Sequence, residues 1–260
     1  MQRFKDKVVF ITGSGSGLGR QAALRFATEG AIIAGADISA ANNSETAALV
    51  ANAGGRIHIG NSVDLTDEAS VTDWISKAAD ELGGIDVLYA NAGATKFNPI
   101  EKTTLDEWDW VLKHELDLVF LPVKHAWPHL AKAKGSVVLV GSTAGVSGSM
   151  TNTRLAHSAT KGGIIAMTKQ LAGEGALHGI RVNCVSPGMI RTPATEGDLL
   201  ADDHPMKNIQ RAIPLQRIGT PAEVISCVLF LASDEASYVT GTNLMVDGGW
   251  SSVLPGFGVI

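Results

Sequence analysis

A histidine and a lysine stand one helical turn apart in "LAHSATKGG" (155–163), where His157 precedes Lys161 by four residues. That spacing puts two side chains on the same face of a helix. Imidazole takes up and releases a proton near neutral pH without help, its unperturbed pKa being about 6.5. An ammonium beside it supplies a fixed positive charge, so the pair suits proton transfer. A solvated helix face would carry the same two residues, and the stretch alone does not choose between these readings.

A second stretch speaks of phosphate. "TGSGSGLG" (12–19) directly follows the apolar run "KVVFIT" (7–12) and opens an amphipathic segment at 18–30. Gly13, Gly17 and Gly19 let the backbone turn tightly and approach a pyrophosphate at the N-terminus of the next helix, with Ser16 and Leu18 in the same turn. The register departs from strict G-x-G-x-x-G, and a plain tight turn would use glycines too. Context strengthens the binding reading, because a strand precedes the turn, a helix follows it, and Asp37 ends the next apolar run. A carboxylate there binds both hydroxyls of an adenosine ribose and repels a 2′-phosphate. No Arg or Lys lies within "SGSGL" or beside Asp37, so NAD is favoured over NADP.

The elements that must position these groups alternate along the chain. Apolar, β-branched runs at 7–12, 31–37, 56–60, 85–93, 135–142, 180–188 and 242–249 read as strands. Helical patterns fill 18–30, 40–53, 66–83, 105–132, the His157–Lys161 segment to about 178, and 221–233. Pro122 and Pro128 are expected to bend or divide the helix at 105–132. Strand–helix alternation with unbroken apolar strands predicts a single doubly wound α/β domain over 1–260, with a seven-stranded parallel sheet covered on both faces. The segment 191–220, rich in Pro, Asp and His, interrupts the rhythm and reads as a substrate loop or lid.

Composition narrows the class. The 260 residues are 45% hydrophobic and 18% charged, as in an ordinary globular chain. A net charge of −5 argues against nucleic acid as a partner. The opening "MQRFKDKVVFITG" is too short in its apolar run for a signal peptide, and no window has the length of a membrane span, so a cytoplasmic location is expected. Cys184 and Cys227 read as small buried apolar residues. His125 and His129 find no third ligand in the pattern, and a metal site built on Glu115, His157 and His204 is not favoured; no metal is expected.

These motifs, with "NAG" at 91–93, "GIRVNCVSPG" running into "SPGMIRT" at 186–192, and the terminal "YVTGTNLMVDGG", resemble the short-chain dehydrogenase/reductase family over essentially the whole chain. The resemblance implies a Rossmann fold, a nicotinamide cofactor, a small-molecule alcohol or ketone as substrate, and usually a homotetramer. Carried over by position, Asp64 would meet the adenine, while Asn91 and Gly93 would lie along the cofactor. Pro187, Gly188, Ile190 and Thr192 would follow the sixth strand onto the cofactor, Ile190 and Thr192 reaching the carboxamide, and Lys161 would hold the nicotinamide ribose. Ser142 matches the family's catalytic serine and Lys161 its lysine. The tyrosine position is His157, and the helix asparagine aligns with Glu115.

Two of the four catalytic positions thus carry different chemistry. In the family a tyrosine phenolate removes the alcohol proton while hydride leaves for the nicotinamide. A phenol needs its pKa of about 10 brought down, and the lysine does this; an imidazole is already a competent base at pH 7. Around His157, the Lys161 charge opposes the imidazolium and a nearby Glu115 favours it. Glu115 could also pair with Lys161. The same changes are compatible with an NAD-binding subunit that has lost hydride chemistry, or with a lyase or dehydratase on this scaffold.

Overall fold

Apolar runs recurring between helices have one economical solution, a parallel sheet with helices on both faces. The computed structural model describes residues 2–60, 62–202 and 204–254. Its strands are β1 (Val8–Thr12), β2 (Ile32–Ala36), β3 (Arg56–Ile59), β4 (Val87–Ala90), β5 (Ser136–Val140), β6 (Arg181–Pro187) and β7 (Asn243–Val246). They pair in parallel in the order β3-β2-β1-β4-β5-β6-β7, forming the expected seven-stranded sheet. The order reverses between β1 and β4, with Phe10 opposite Leu88 and Ile11 opposite Tyr89. A crevice therefore opens beyond the C-terminal ends of those two strands, where open parallel sheets bind ligands.

Among the described residues eight α-helices alternate with or follow the strands: α1 (Gly17–Thr28), α2 (Ala40–Asn52), α3 (Glu68–Leu82), α4 (Leu105–Leu112), α5 (Leu118–Ala133), α6 (Leu155–Ala176), α7 (Pro193–Gly197) and α8 (Pro221–Ala232). Alternate strand residues serve opposite faces. Phe10, Leu88 and Leu139 join Trp74 of α3, Leu130 of α5 and Ile164 of α6 in one core. Val9, Ile11 and Val138 join Phe26 of α1 and Val228 of α8 in the other. Each such buried side chain contributes roughly 1.5–3 kcal/mol of burial free energy. Cys184 lies within the first core, where burial pushes its thiol up, whereas Cys227 on α8 is only half-buried.

Local chemistry sets the boundaries that matter for the crevice. The strand expected at 85–93 stops at Ala90, because Asn91 and Ala92 turn their N–H groups onto the Thr12 hydroxyl at 2.9 and 3.0 Å. The third helix begins at Glu68 rather than 66, since the Thr66 amide and hydroxyl both donate back to Asp64 at 2.8 Å and Asp67 caps the helix. The long helix divides, but earlier than its prolines suggested. Lys113–Asp117 forms a π-helical turn between α4 and α5, and Pro122 and Pro128 both lie inside α5. Proline offers no N–H to the carbonyl four residues back and its ring crowds it. For Pro122 that residue is Leu118, which ends the π turn with a ψ of −4°, so the widened turn takes up the misfit.

The segment expected to form a loop at 191–220 holds α7 and a 3-10 stretch at Pro205–Ala212, and its Met206 and Ile213 form a small apolar cluster with the preceding Met189, backed by Trp250. At its base Arg217, with the Thr220 amide and hydroxyl, holds the Glu223 carboxyl down to about 2 and fixes the start of α8. Among the described residues no helix is long and apolar enough to cross a membrane.

Candidate active site

The glycine turn is built for close approach of backbones. Gly13 has φ +67° and donates its N–H to Ala36 O at 2.8 Å, while the Asn91 amide donates to Thr12 O at 3.1 Å. A Cβ on Gly19 would lie 1.9 Å from Gly13 O, so only glycine lets α1 sit this low on the turn. Ser16 stands at the N-cap of α1 in extended conformation without a side-chain capping bond, and no acid occupies the first turn. The free N–H groups and positive end of the helix dipole are thus left for an anion.

A groove of about 530 Å³ runs past this helix end. Its walls include Gly13, Ser16, Gly17 and Leu18 from the turn, Asp37, Asp64, Asn91, Gly93 and Thr192. Gly19 lies beneath the turn, and the Lys161 Nζ lies 3.9 Å from where a Cβ on Gly93 would be. Pro187, Gly188 and Ile190 are not on the groove wall. Pro187 ends β6, Gly188 packs so closely on Asp247 that a Cβ would meet it at 2.7 Å, and Ile190 is buried in a bridge to Gly219 facing a smaller cavity.

Asp37 is fixed in place by two amides: Gly15 N–H donates to its Oδ2 and Ser39 N–H to its Oδ1, each at 2.9 Å. A Cβ on Gly15 would fall 2.8 Å from the Asp37 carboxyl carbon, so this glycine, unremarked in the sequence reading, is needed for the contact. Arg20, which with Leu18 breaks the strict glycine register, reaches back to Gly15 O and to Glu45, both at 2.6 Å, and is engaged there rather than on the groove wall. Thr66's hydroxyl and amide hold the Asp64 carboxyl below the usual range, keeping it ionised. His114 joins the wall as well. Its ring stacks on Trp110 at 3.9 Å and its Nδ1 donates to Trp110 O at 2.8 Å, with Lys96 Nζ 4.4 Å from the Trp110 ring centre.

The π turn sends the next residue the other way. Glu115 is 3% exposed, and its Oε1 and Oε2 lie 2.7 and 3.0 Å from His157 Nδ1. Thr160 Oγ1 donates to Glu115 Oε2 at 2.6 Å. Lys161 is 7% exposed; its Nζ donates to Val140 O at 3.1 Å and stands 3.9 Å from Glu115 Oε1. A proton on Nδ1 facing the carboxylate leaves Nε2 of a neutral His157 as an acceptor. Phe97 packs edge-on against that ring at 5.6 Å. Ser142, beyond the end of β5, accepts the Ala144 N–H at 3.1 Å, so its own proton is free to donate. His204 is elsewhere, capping the 3-10 stretch through Met206 N–H at 3.1 Å, and among the described residues no three His, Cys, Asp or Glu are placed to share a metal ion.

A parallel α/β sheet with a glycine turn, an acid just past the second strand and a helix end with unpaired amides at its switch point has the arrangement of a dinucleotide-binding fold. A family model described as Enoyl-(Acyl carrier protein) reductase matches residues 13–251. The chain is 38% identical to the 3-oxoacyl-acyl-carrier-protein reductase FabG of Thermotoga maritima, over 95% of this chain and 98% of that protein. It is 36% identical to meso-2,3-butanediol dehydrogenase of Serratia marcescens, covering 95% of each. The crystal structure of levodione reductase superposes with a TM-score of 0.91 at 34% identity, over 96% of this chain and 99% of that one. The chain belongs to the short-chain dehydrogenase/reductase family, whose members use nicotinamide cofactors. These relatives share alcohol and carbonyl chemistry in their names but no common substrate.

Proposed function

We propose that the protein is an NAD-dependent oxidoreductase that interconverts a secondary alcohol, of hydroxylated or sugar-like kind, and its ketone, with His157 as the acid/base. The observation that carries this reading is the 2.7 Å contact between the buried Glu115 carboxylate and His157 Nδ1. A histidine that had merely replaced the family's tyrosine by drift would have no need of a buried carboxylate fixing its tautomer. The residues present fit the cofactor: the glycine cradle admits no Cβ at Gly19, and the start of α1 offers unpaired amides. Asp37 would hold the adenosine ribose and Lys161 the nicotinamide ribose. Bound there, the nicotinamide supplies a two-electron hydride acceptor.

The chain's own residues then do the rest. Ser142 donates its hydroxyl proton to the substrate oxygen and orients it. His157 Nε2 takes the proton of the alcohol as the carbonyl forms, and Glu115 stabilises the imidazolium that results. Imidazole is shorter than phenol, so the substrate oxygen must sit deeper than a tyrosine would require, or a water must carry the proton. Phe97, packed against the ring, offers an apolar wall to the substrate carbons. Screening alcohols and sugars with NAD, following absorbance of the reduced cofactor, tests the reading. Turnover of any of them supports it, and cofactor binding without turnover across a broad panel contradicts it.

Cofactor choice follows from Asp37. NADH is expected to bind at least about tenfold more tightly than NADPH, a difference that needs only about 1.4 kcal/mol of repulsion. Arg20, the basic side chain beside the turn, is already held by Glu45 and Gly15 O. Fluorescence titration with both reduced cofactors decides it, and equal or tighter NADPH binding overturns the assignment.

We also propose a homotetramer assembled through α4, α5 and α6. Phe120 on α5 and Leu155 on α6 are 48% and 45% exposed, apolar surface of the kind a neighbouring subunit covers. The apolar stretch at 251–260 is read as crossing a subunit boundary, although 255–260 lie outside the described residues. Light scattering should report about four chains, and a monomer at micromolar concentration would contradict it.

A further inference from the structure

Thr160 is a residue that the cofactor groove and the base do not account for. Ala156, Thr160, Ile164, Thr168 and Ala172 recur every fourth residue as the buried stripe of α6. Thr168 in that stripe is satisfied in the ordinary way for a helical threonine, donating to Ile164 O one turn back at 2.8 Å. Thr160 is fully buried and behaves differently, since its hydroxyl reaches across to Glu115 Oε2 at 2.6 Å. His157 O lies within reach at 2.9 Å. With one proton to give, the hydroxyl serves the charged and shorter acceptor.

We propose that Thr160 is a positioning residue that reserves the Glu115 carboxylate for His157 and keeps it from Lys161. This rests on the reading of His157 as the base. Two donors compete for one oxygen, because Glu115 Oε1 lies 2.7 Å from His157 Nδ1 and 3.9 Å from Lys161 Nζ. In a buried site the full charge of an ammonium attracts the carboxylate strongly, and a small rotation would close that gap. The bond from Thr160 pins the second oxygen and fixes the plane of the carboxylate, so that Oε1 stays on the imidazole. Lys161 is thereby left to Val140 O, with its Nζ beside Gly93 of the groove wall. Without the hydroxyl, Oε2 loses its nearest donor and the carboxylate turns to the lysine. The imidazole is then no longer held in one tautomer, and Lys161 is drawn away from the groove.

The test needs no substrate. The imidazole N–H of a histidine donating to a buried carboxylate gives a far-downfield proton resonance, assigned here by its absence in His157→Phe. Thr160→Val is expected to abolish that resonance or move it upfield toward free imidazole, and to weaken NADH binding, while unfolding as cooperatively as the wild type. Thr160→Ser, which restores the hydroxyl, is expected to restore both. Should the valine variant not fold, Thr160→Ala makes the same comparison. An unchanged resonance in folded Thr160→Val or Thr160→Ala overturns the role of Thr160 and leaves the Glu115–His157 pair standing. Loss of the resonance in Thr160→Ser as well overturns it too, since packing rather than the hydroxyl would then be responsible. A wild-type spectrum with no His157 resonance overturns the pairing itself, and with it both readings.

Discussion

Replacing His157 with phenylalanine is expected to lower turnover of a secondary alcohol by roughly 10²–10⁴, the usual loss when a general base is removed, with NADH affinity nearly unchanged. The ring is only 14% exposed and packs against Phe97, so a phenyl group of similar breadth keeps the packing while removing the proton chemistry and the Nδ1 donor to Glu115, whose other oxygen Thr160 still holds. His157 is not among the residues lining the groove beside the glycine turn, and for that reason binding and turnover are expected to separate in this variant. Glu115→Gln is a subtler change at the other end of the pair. A glutamine amide can donate to Nδ1 as readily as accept from it, which permits the tautomer whose Nε2 carries the proton and cannot act as a base. Turnover should fall there too, again with little change in NADH affinity. His157→Tyr is the harshest comparison, because the longer phenol must share a space that now holds an imidazole and a carboxylate. Steady-state rates on one substrate, with NADH titrations alongside, measure all three. Full activity in His157→Phe would remove the histidine from the mechanism.

How far the sequence revealed this arrangement depended on the range of the signal. Strands were legible because a strand buried on both faces needs an unbroken apolar run, as in "KVVFIT" and "GSVVLVGS". The glycine turn was legible because it stands between a strand and a helix with an acid after the next strand, and Asp37, Asn91 and Thr192 line the groove beside it. The contact of Glu115 with His157 joins positions 42 residues apart, and only the family resemblance brought them together. Spacing could not show the π turn that carries Glu115, since local propensity favours an ordinary helix and the misfit arises from Pro122. Thr160 was invisible for a related reason: a threonine on a buried helical stripe reads as core until its partner on another helix is known. Ile190 and Gly188 follow the sixth strand as the family pattern places them, yet the chain turns there so that Ile190 bridges Gly219 and Gly188 packs on Asp247. Sequence proximity to a site is a weaker guide than the direction of the backbone leaving it.

Gly19→Ala is expected to cost about 3 kcal/mol or more of stability and to abolish measurable NADH binding, although it adds a single methyl group. The new Cβ would lie 1.9 Å from Gly13 O, 2.7 Å from Gly13 C and 2.9 Å from the Asn91 amide nitrogen. Two of those three atoms are backbone, and no rotamer change moves them. Gly13 is itself fixed by its positive φ and its bond to Ala36 O, while Asn91 is tied to Thr12 O, so the turn has little freedom to retreat. The remaining response is for α1 to lift away from β1, which opens the contacts of Ala22, Ala23 and Phe26 in the core and carries the amides at the helix start away from the groove. Overpacking of this kind typically costs about 1–3 kcal/mol, and more where only backbone can yield. Gly173→Ala provides a comparison of opposite sign. Gly173 is exposed within α6, a Cβ there meets nothing within 4 Å, and alanine in a helix interior is favoured over glycine by about 0.5–1 kcal/mol. Urea denaturation should therefore move the midpoint down sharply for Gly19→Ala and slightly up for Gly173→Ala, at similar slopes. A Gly19→Ala protein that unfolds at the wild-type midpoint and binds NADH normally would mean that the turn is looser than its contacts imply. The close approach of α1 to the glycine turn would then not be what builds the cofactor site.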